Sequence, residues 1–200
     1  MLGIFFSTVQ EASYFLKLYK KARFEGISDG EFAHDNRIMV GITGIGKIKA
    51  TLHTERFLQQ LQPDRLLHLG YGTKLNLRLD SGTLVSIHQA FEGDRTDLLI
   101  PTYPKMPLSC PFPELFQGSL VTQDAYTQTS DGRKYWERLA DVSDTEGYAI
   151  AFVAASRGIP CHIVKVALGD TKETGLTIKK MIDHASKSIS DLLLAHLLKI

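Results

Sequence analysis

Three acidic residues stand at positions where a carboxylate could carry out acid–base chemistry. Glu11 follows the apolar run 2–6, Asp170 follows the apolar run 161–168, and Glu146 lies between a probable strand and an apolar helix. Ligands of open α/β sheets gather at the carboxyl ends of strands, where a carboxylate can donate or accept a proton. Each residue also has a structural interpretation, Glu11 as a partner of a helix dipole and the other two as helix caps. The residue types alone leave both interpretations open.

A second candidate feature is the glycine turn that follows the apolar run 38–42 and precedes a helix. Its glycines are Gly44 and Gly46. A dinucleotide fingerprint has a similar strand, turn and helix, but Lys49 occupies its third glycine position and no acidic residue follows at the expected distance. Two further interpretations remain: the glycines serve a tight connection, or the turn borders a small-molecule site.

Alternating strands and helices must position these residues. Apolar runs predict strands at 2–6, 38–42, 66–69, 83–90, 118–122 and 161–168, with a glycine turn after residue 69. Helical spacing predicts helices at 11–21, 47–61, 146–157 and 176–198, and a short helix around Trp136. In the second helix the expected buried residues are Ile48, Leu52, Phe57, Leu58 and Leu61. We expect a loop or hairpin over 24–36 and a long irregular loop over 92–117. This alternation indicates one α/β sandwich domain covering residues 1–200.

The composition is that of an ordinary globular chain. Its formal net charge is +1 at pH 7, without the strong positive field of a nucleic-acid binder. The sequence has no run near the roughly 20 apolar residues of a membrane-spanning helix, and its start lacks the basic lead of a signal peptide. The two cysteines, Cys110 and Cys161, are expected to be free thiols in a cytoplasmic protein. The histidines show no ligand spacing, so we predict no metal and no cofactor.

Five segments follow one another in a recognisable order. They are the opening strand with its exit, Gly3 to Glu11; Gly44-Ile45-Gly46-Lys47; Leu67-His68-Leu69-Gly70-Tyr71-Gly72; Val121-Thr122-Gln123-Asp124-Ala125-Tyr126; and Asp144-Thr145-Glu146-Gly147-Tyr148-Ala149-Ile150-Ala151 with the later Gly158-Ile159-Pro160, an apolar strand and Gly169-Asp170. In this order they resemble the nucleoside phosphorylase/nucleosidase superfamily, in particular methylthioadenosine/S-adenosylhomocysteine nucleosidases and futalosine hydrolases. The resemblance covers most of the chain.

The resemblance implies a three-layer α/β/α sandwich with a mixed central sheet, assembled as a homodimer, that cleaves the N-glycosidic bond of a purine nucleoside. The purine is a poor leaving anion and must be protonated, a role that the resemblance gives to Asp170. It gives activation of water to Glu11, ribose binding to Glu146 beside Thr145, and stacking on the purine to Tyr126, although an aromatic there could also be core. The other substrate-binding candidates are Ala125, Gly44, Gly46, Gly70 and Tyr71.

Hydrolysis and phosphorolysis make different demands on such a site. A phosphorylase holds a phosphate dianion, usually with arginines and a serine, and the corresponding positions here are His68 and Tyr71. We therefore predict a hydrolase, with a phosphate-dependent phosphorylase as the alternative. Thr145 stands in place of the family's usual methionine and Gly169 in place of the serine before the acid. These departures suggest a different substrate, and they keep a catalytically silent nucleoside-binding paralogue as a second alternative.

Overall fold

The computed structural model describes residues 1–19, 24–94, 103–124, 134–169 and 174–197. Within these ranges the strands are β1 (Leu2–Phe6), β2 (Phe32–His34), β3 (Ile38–Ile42), β4 (Arg65–Lys74), β5 (Thr83–Glu92), β6 (Lys105–Pro107), β7 (Phe116–Thr122), β8 (Val142–Asp144) and β9 (Cys161–Leu168). The helices are α1 (Val9–Tyr19), α2 (Lys47–Gln60), α3 (Gly147–Ser156) and α4 (Ile178–Leu197). A short helical turn over 134–136 carries Trp136, as predicted.

The strands form one mixed sheet, which confirms the predicted fold class. β1 lies between β3 and β4, parallel to both, and β4 continues in parallel to β9. β9 then pairs antiparallel with β5, β5 pairs parallel with β7, and β7 pairs parallel with β8. The last two residues of β4 pair antiparallel with β8, which closes β4, β9, β5, β7 and β8 into a ring. The carboxyl ends of β1, β4 and β9 therefore meet at one side of this ring.

The length of β4 allows this closure. Its first half pairs with β1 and its end pairs with β8 on the same side, so the strand must bend between them. Gly72 permits the close approach, because a Cβ at this position would lie 2.5 Å from the backbone oxygen of Ser143. The prediction of a glycine turn after residue 69 was wrong. Gly70, Tyr71 and Gly72 continue strand β4 instead of ending it.

Two apolar cores cover the two faces of the sheet and give the three layers. In β1, Phe5 faces the core beneath α2 and α3, whereas Ile4 and Phe6 face the core beneath α1 and α4. This alternation is the ordinary consequence of a strand's two-residue period. None of the described helices combines the length and the apolar character that a bilayer crossing requires.

The buried face of α2 differs from the predicted one. Phe57 and Leu58 are buried, together with Ala50 and Thr54, and Leu61 is half-buried just beyond the helix. In contrast, Ile48 is 82% exposed and Leu52 is 61% exposed. At 100° per residue, both lie about 160° around the helix from Ala50. They therefore form an apolar outer face rather than a part of the core.

Two predicted loops contain strands. The stretch 24–36 includes β2, which pairs antiparallel with β3 and so forms the hairpin alternative. The stretch 92–117 was predicted to be irregular throughout, but β5 extends to Glu92, β6 pairs with β5, and β7 begins at Phe116. Proline is tolerated in β6 because a terminal strand needs hydrogen bonds on one side only.

Candidate active site

A cavity of about 460 Å³ lies at the carboxyl ends of β1, β4 and β9. Its polar wall comes from the segment after β1, the end of β4, the residue after β7, and β8 with the residues that follow it: Ser7, Thr8, Glu11, Tyr71, Thr73, Gln123, Ser143, Asp144, Thr145 and Glu146. Its apolar wall consists of Ile45, Leu75, Trp136, Leu168, Ile178, Met181 and Ile182. A cavity with one polar and one apolar wall, at strand ends, is typical of a small-molecule site.

Glu11 is held rigidly at the polar wall. Its Oε2 accepts hydrogen bonds from the backbone N–H groups of Ser7, at 3.0 Å, and Thr8, at 2.9 Å. The hydroxyl of Thr8 also accepts from the Glu11 N–H, so the pair forms a reciprocal cap on α1. Oε1 accepts from the backbone N–H of Tyr71 at 3.1 Å, across the sheet. These donors fix both oxygens, and the residue is only 3% exposed.

Burial raises the pKa of Glu11 to about 7, opposed by the positive charge of Lys165 and reinforced by the negative charge of Glu146. Such a carboxyl group changes its protonation state near neutral pH, which is what a general base requires. A glutamate that only interacts with a helix dipole is ordinarily exposed to solvent. Glu11 is buried, so this structural interpretation does not describe it.

Glu146 and Thr145 join β8 to α3 beside Glu11. Glu146 is 4% exposed, and its Oε1 accepts hydrogen bonds from the backbone N–H of Gly46, at 2.8 Å, and from the hydroxyl of Thr145. Glu146 occupies the N-cap position of α3, but its side chain makes no capping hydrogen bond. The N–H of Gly147 donates instead to Oδ2 of Asp144 at 2.9 Å. The glutamate is therefore directed to the glycine turn before α2 rather than to its own helix.

The turn before α2 depends on glycine for its geometry. Gly44 and Gly46 have φ of 79° and 90°, values that side chains rarely tolerate. This backbone presents the N–H of Gly46 to Glu146 and places the side chain of Ile45 at the cavity wall. The turn therefore borders the candidate site, since the N–H of Gly46 donates to the carboxylate of Glu146. The same turn also makes the tight connection to α2.

A buried ionic cluster lies under the polar wall. Lys165 is 0% exposed, and its Nζ lies 2.8 Å from Oδ2 of Asp144 and 2.7 Å from Nε2 of His68. Burial would lower the pKa of Lys165, but the charges of Asp144, Glu146 and Glu11 raise it above its usual value. The lysine is therefore a cation inside the protein, and Asp144 is its ion-pair partner.

Sequence reasoning missed this cluster. The signal was present, because Lys165 interrupts the strongly apolar run that forms β9. A lysine in a strand with buried neighbours needs a buried partner. Nothing in the spacing identified Asp144 and His68 as those partners, since they lie 21 and 97 residues away in the chain.

A second ionic cluster lies at the beginning of α2. Nζ of Lys47 lies 2.8 Å from Asp94 and 3.6 Å from Glu92, while the backbone N–H of Lys47 donates to Asp124 at 2.9 Å. The N–H of Asp124 in turn donates to Asp94 at 2.6 Å. These contacts tie the start of α2 to the ends of β5 and β7.

Some candidates from the sequence lie outside the described residues. They are Asp170, Ala125 and Tyr126. Of their chain neighbours, Gly169 lines the cavity and Asp124 binds the start of α2. The other candidates are brought together: Glu11, Tyr71, Thr145 and Glu146 line the cavity, and the nearest atom to a Cβ on Gly70 would be Oε1 of Glu11.

Comparison with known proteins gives the chain's relationships. A model of the phosphorylase superfamily matches residues 18–198. No curated protein matches the chain. Among solved structures, a futalosine hydrolase mutant of Helicobacter pylori is 20% identical with a TM-score of 0.83, over 100% of this chain and 99% of that one. A methylthioadenosine/S-adenosylhomocysteine nucleosidase of Campylobacter jejuni is 17% identical with a TM-score of 0.83, over 100% and 99%.

The corresponding nucleosidase of Helicobacter pylori, solved with butyl-thio-DADMe-Immucillin-A, is 19% identical with a TM-score of 0.80, over 100% of this chain and 98% of that one. The fold is thus shared from end to end, and the resemblance seen in the motifs is confirmed. The chain belongs to the phosphorylase superfamily.

Proposed function

We propose that this protein hydrolyses the N-glycosidic bond of a purine nucleoside. The observation that carries the proposal is Glu11, a buried carboxylate at the cavity wall whose pKa is raised to about 7 by burial. A group with this pKa can accept a proton from water at neutral pH. Family membership and the fold shared with nucleosidases and a futalosine hydrolase support the same reaction.

The reaction needs a base and an acid on opposite sides of the sugar carbon. Glu11 takes a proton from water as the water oxygen bonds to C1′, which carries oxocarbenium character. The bond between C1′ and the purine nitrogen breaks, and its electron pair goes to the purine. We assign protonation of the leaving purine to Asp170 by the resemblance; it follows Gly169, which lines the cavity. The products are a free base and a ribosyl compound.

Glu146 is the proposed acceptor for the ribose hydroxyls. Its hydrogen bonds from the described residues fall on Oε1, which leaves Oε2 to accept from the sugar. Thr145 takes the place of a methionine in related enzymes and adds a hydroxyl next to this carboxylate. Tyr126, beside Ala125, is proposed to stack on the purine. The backbone of Gly70 and Tyr71 borders the same place, since the N–H of Tyr71 binds Glu11.

The charges at the polar wall favour water over phosphate as the nucleophile. Glu11, Asp144 and Glu146 border the cavity, and the charge of Lys165 is offset by Asp144 at 2.8 Å. A phosphate dianion entering this place meets uncompensated carboxylates, whereas a water molecule does not. Tyr71, which takes a position that phosphorylases use for a phosphate-binding residue, also fills space at this wall.

Release of free purine tests the proposal. The substrates are methylthioadenosine, S-adenosylhomocysteine, futalosine and inosine, each with and without phosphate, and the variants are Glu11→Gln and Asp170→Asn. We expect release without phosphate that both variants abolish. Release only with phosphate would identify a phosphorylase. A folded protein that binds these nucleosides and releases no base would be a silent binding paralogue.

We also propose that the protein is a homodimer. Ile45, Ile48 and Leu52 are exposed and lie on one side of α2, and Phe152 of the neighbouring α3 is exposed as well. An apolar face of this kind marks an interface with another molecule. Because Ile45 also lines the cavity, a second copy packed there would border the site.

The remaining assignments concern the setting of the reaction. We propose a single domain and a cytoplasmic location, with a small-molecule nucleoside as the partner and neither nucleic acid nor membrane involved. Both cysteines are free, and burial raises the pKa of Cys161 to about 12. Unpaired thiols are usual in a reducing compartment.

A further inference from the structure

The ionic cluster under the polar wall depends on one small residue. Gly70 on β4 lies opposite Lys165 on β9, and side chains two residues apart on a strand share a face. His68 therefore lies on the same face as the lysine. A Cβ on Gly70 would be 3.2 Å from Nζ of Lys165 and 2.5 Å from Oε1 of Glu11. The ammonium and the proposed base thus border the same point, and they are less than about 6 Å apart, within the range where an opposite charge shifts a pKa.

The hydrogen bonds of His68 define its protonation state. Its Nδ1 lies 3.1 Å from the carbonyl oxygen of Phe5, and a carbonyl can only accept, so Nδ1 carries the hydrogen. Its Nε2 faces the ammonium of Lys165 at 2.7 Å and must therefore be the acceptor. Burial and the charge of Lys165 lower the pKa of His68 to about 3. The imidazole is neutral throughout the working pH range.

Asp144, the other partner of the ammonium, is fixed in place. Its Oδ1 accepts from the hydroxyl of Thr122 at 2.7 Å, and its Oδ2 accepts from the N–H of Gly147 at 2.9 Å. Burial would raise the pKa of Asp144, but the positive charge of Lys165 and the hydrogen bonds from Lys165 and Thr122 hold it below its usual value. The carboxylate is anchored to α3 and contacts the ammonium at 2.8 Å, and His68 supplies the second acceptor that fixes the ammonium, at 2.7 Å.

We propose that His68 is a positioning residue for the base: by accepting from Lys165, it fixes the ammonium beside Gly70, next to Glu11. The inference rests on the proposed function. In this position the ammonium favours the ionised, reactive form of Glu11, against burial and against the negative charge of Glu146. Among the described residues, Tyr71, whose pKa is raised by burial, Glu11 and Glu146, also faces the base. Without the imidazole acceptor, the ammonium keeps only its contact with Asp144, is no longer fixed beside Gly70, and its effect on Glu11 weakens.

Two substitutions separate the hydrogen bonds of the imidazole. In His68→Asn the amide reaches only the position of Nδ1, so it can still donate to Phe5 but cannot accept from Lys165. In His68→Gln the amide oxygen reaches the position of Nε2 and can accept from Lys165. The first variant removes the proposed role, and the second restores it. His68→Met removes the acceptor while keeping more of the side-chain volume, and it replaces His68→Asn if that variant does not fold.

The ionisation of Glu11 is measured directly by ¹³C NMR of glutamate carboxyl groups, with the Glu11→Gln variant assigning the resonance. We expect the titration midpoint to rise by about one pH unit in His68→Asn or His68→Met and to remain at the wild-type value in His68→Gln. The acid limb of kcat/KM for purine release should move by the same amount, with KM little changed.

An unchanged midpoint in a folded His68→Asn or His68→Met variant would overturn the proposal. So would equal shifts in His68→Gln and His68→Asn, because a structural role alone would not distinguish the two amides. The NMR titration needs no turnover. If no nucleoside is cleaved, the proposed function fails, while the control of Glu11 by His68 is still decided by the midpoint.

Discussion

Replacement of Gly70 by alanine tests whether the geometry of the base controls the reaction. A Cβ at this position would lie 2.5 Å from Oε1 of Glu11, whereas ordinary contact begins at 3.4 Å. The carboxylate or the strand must therefore shift by about 0.9 Å. A displacement of about 1 Å in a catalytic group can lower a rate by about 10²-fold. We expect kcat/KM for purine release to fall by about that factor in Gly70→Ala.

The matched control is Gly118→Ala on β7. Its Cβ would lie 2.7 Å from Cγ1 of Val85, so it introduces similar crowding away from the cavity. Crowding of this kind destabilises a protein by about 1–3 kcal/mol, and thermal unfolding should show comparable losses in the two variants. The reasoning is refuted if Gly70→Ala keeps kcat/KM within about threefold of wild type, or if Gly118→Ala loses as much activity.

Four further predictions concern charge and assembly. Because the base must be ionised, kcat/KM should rise with pH through about 7, the raised pKa of Glu11. The same shift has a consequence for stability: a carboxyl with a raised folded-state pKa stabilises the protein at low pH, and this contribution is lost as pH rises through 7. The melting temperature of Glu11→Gln minus that of wild type should therefore be higher at pH 8 than at pH 5. An equal difference at the two pH values would contradict this prediction. Asp144→Asn leaves Lys165 buried without its ion-pair partner, and urea unfolding should show a loss of about 3–5 kcal/mol. Glu55→Gln breaks the surface ion pair of Glu55 with Arg157 and should lose less than about 1 kcal/mol; similar losses in the two variants would argue against a buried ion pair. Ile48→Lys should weaken the proposed dimer more than tenfold, because the interface would bury a charge; light scattering that still shows a dimer at low concentration would exclude α2 from it.

Much of the architecture could be predicted because periodicity reports burial. β1, β3 and β9 have the predicted bounds, since each is a short and predominantly apolar run. The face of α2 was mispredicted because Ile48 and Leu52 are apolar without being buried, and hydrophobicity alone does not distinguish a core from an outer apolar face. The end of β4 was mispredicted because glycine is a common turn residue, whereas Gly72 serves a close approach between strands.

The residues of the candidate site were also predicted only in part. Glu11 and Glu146 were predicted at the site because their motifs keep a fixed order along the chain, and both line the cavity; their residue types alone left a structural role open. The cluster of Lys165, His68 and Asp144 was missed because its members meet only through the pairing of β4 with β9 and the closure of the ring. Pairing between distant strands leaves no periodic pattern in a single sequence. The lysine within an apolar strand was the one local sign.

The closed part of the sheet also affects how the protein meets other chains. Among the described strands, the outer positions belong to β2 and β6, which have three residues each. An open edge is a template on which another chain can add a strand, and short edges with lysine or proline discourage this addition. β6 contains both, as Lys105 and Pro107. The long strands β4 and β5 have neighbouring strands on both sides along most of their length.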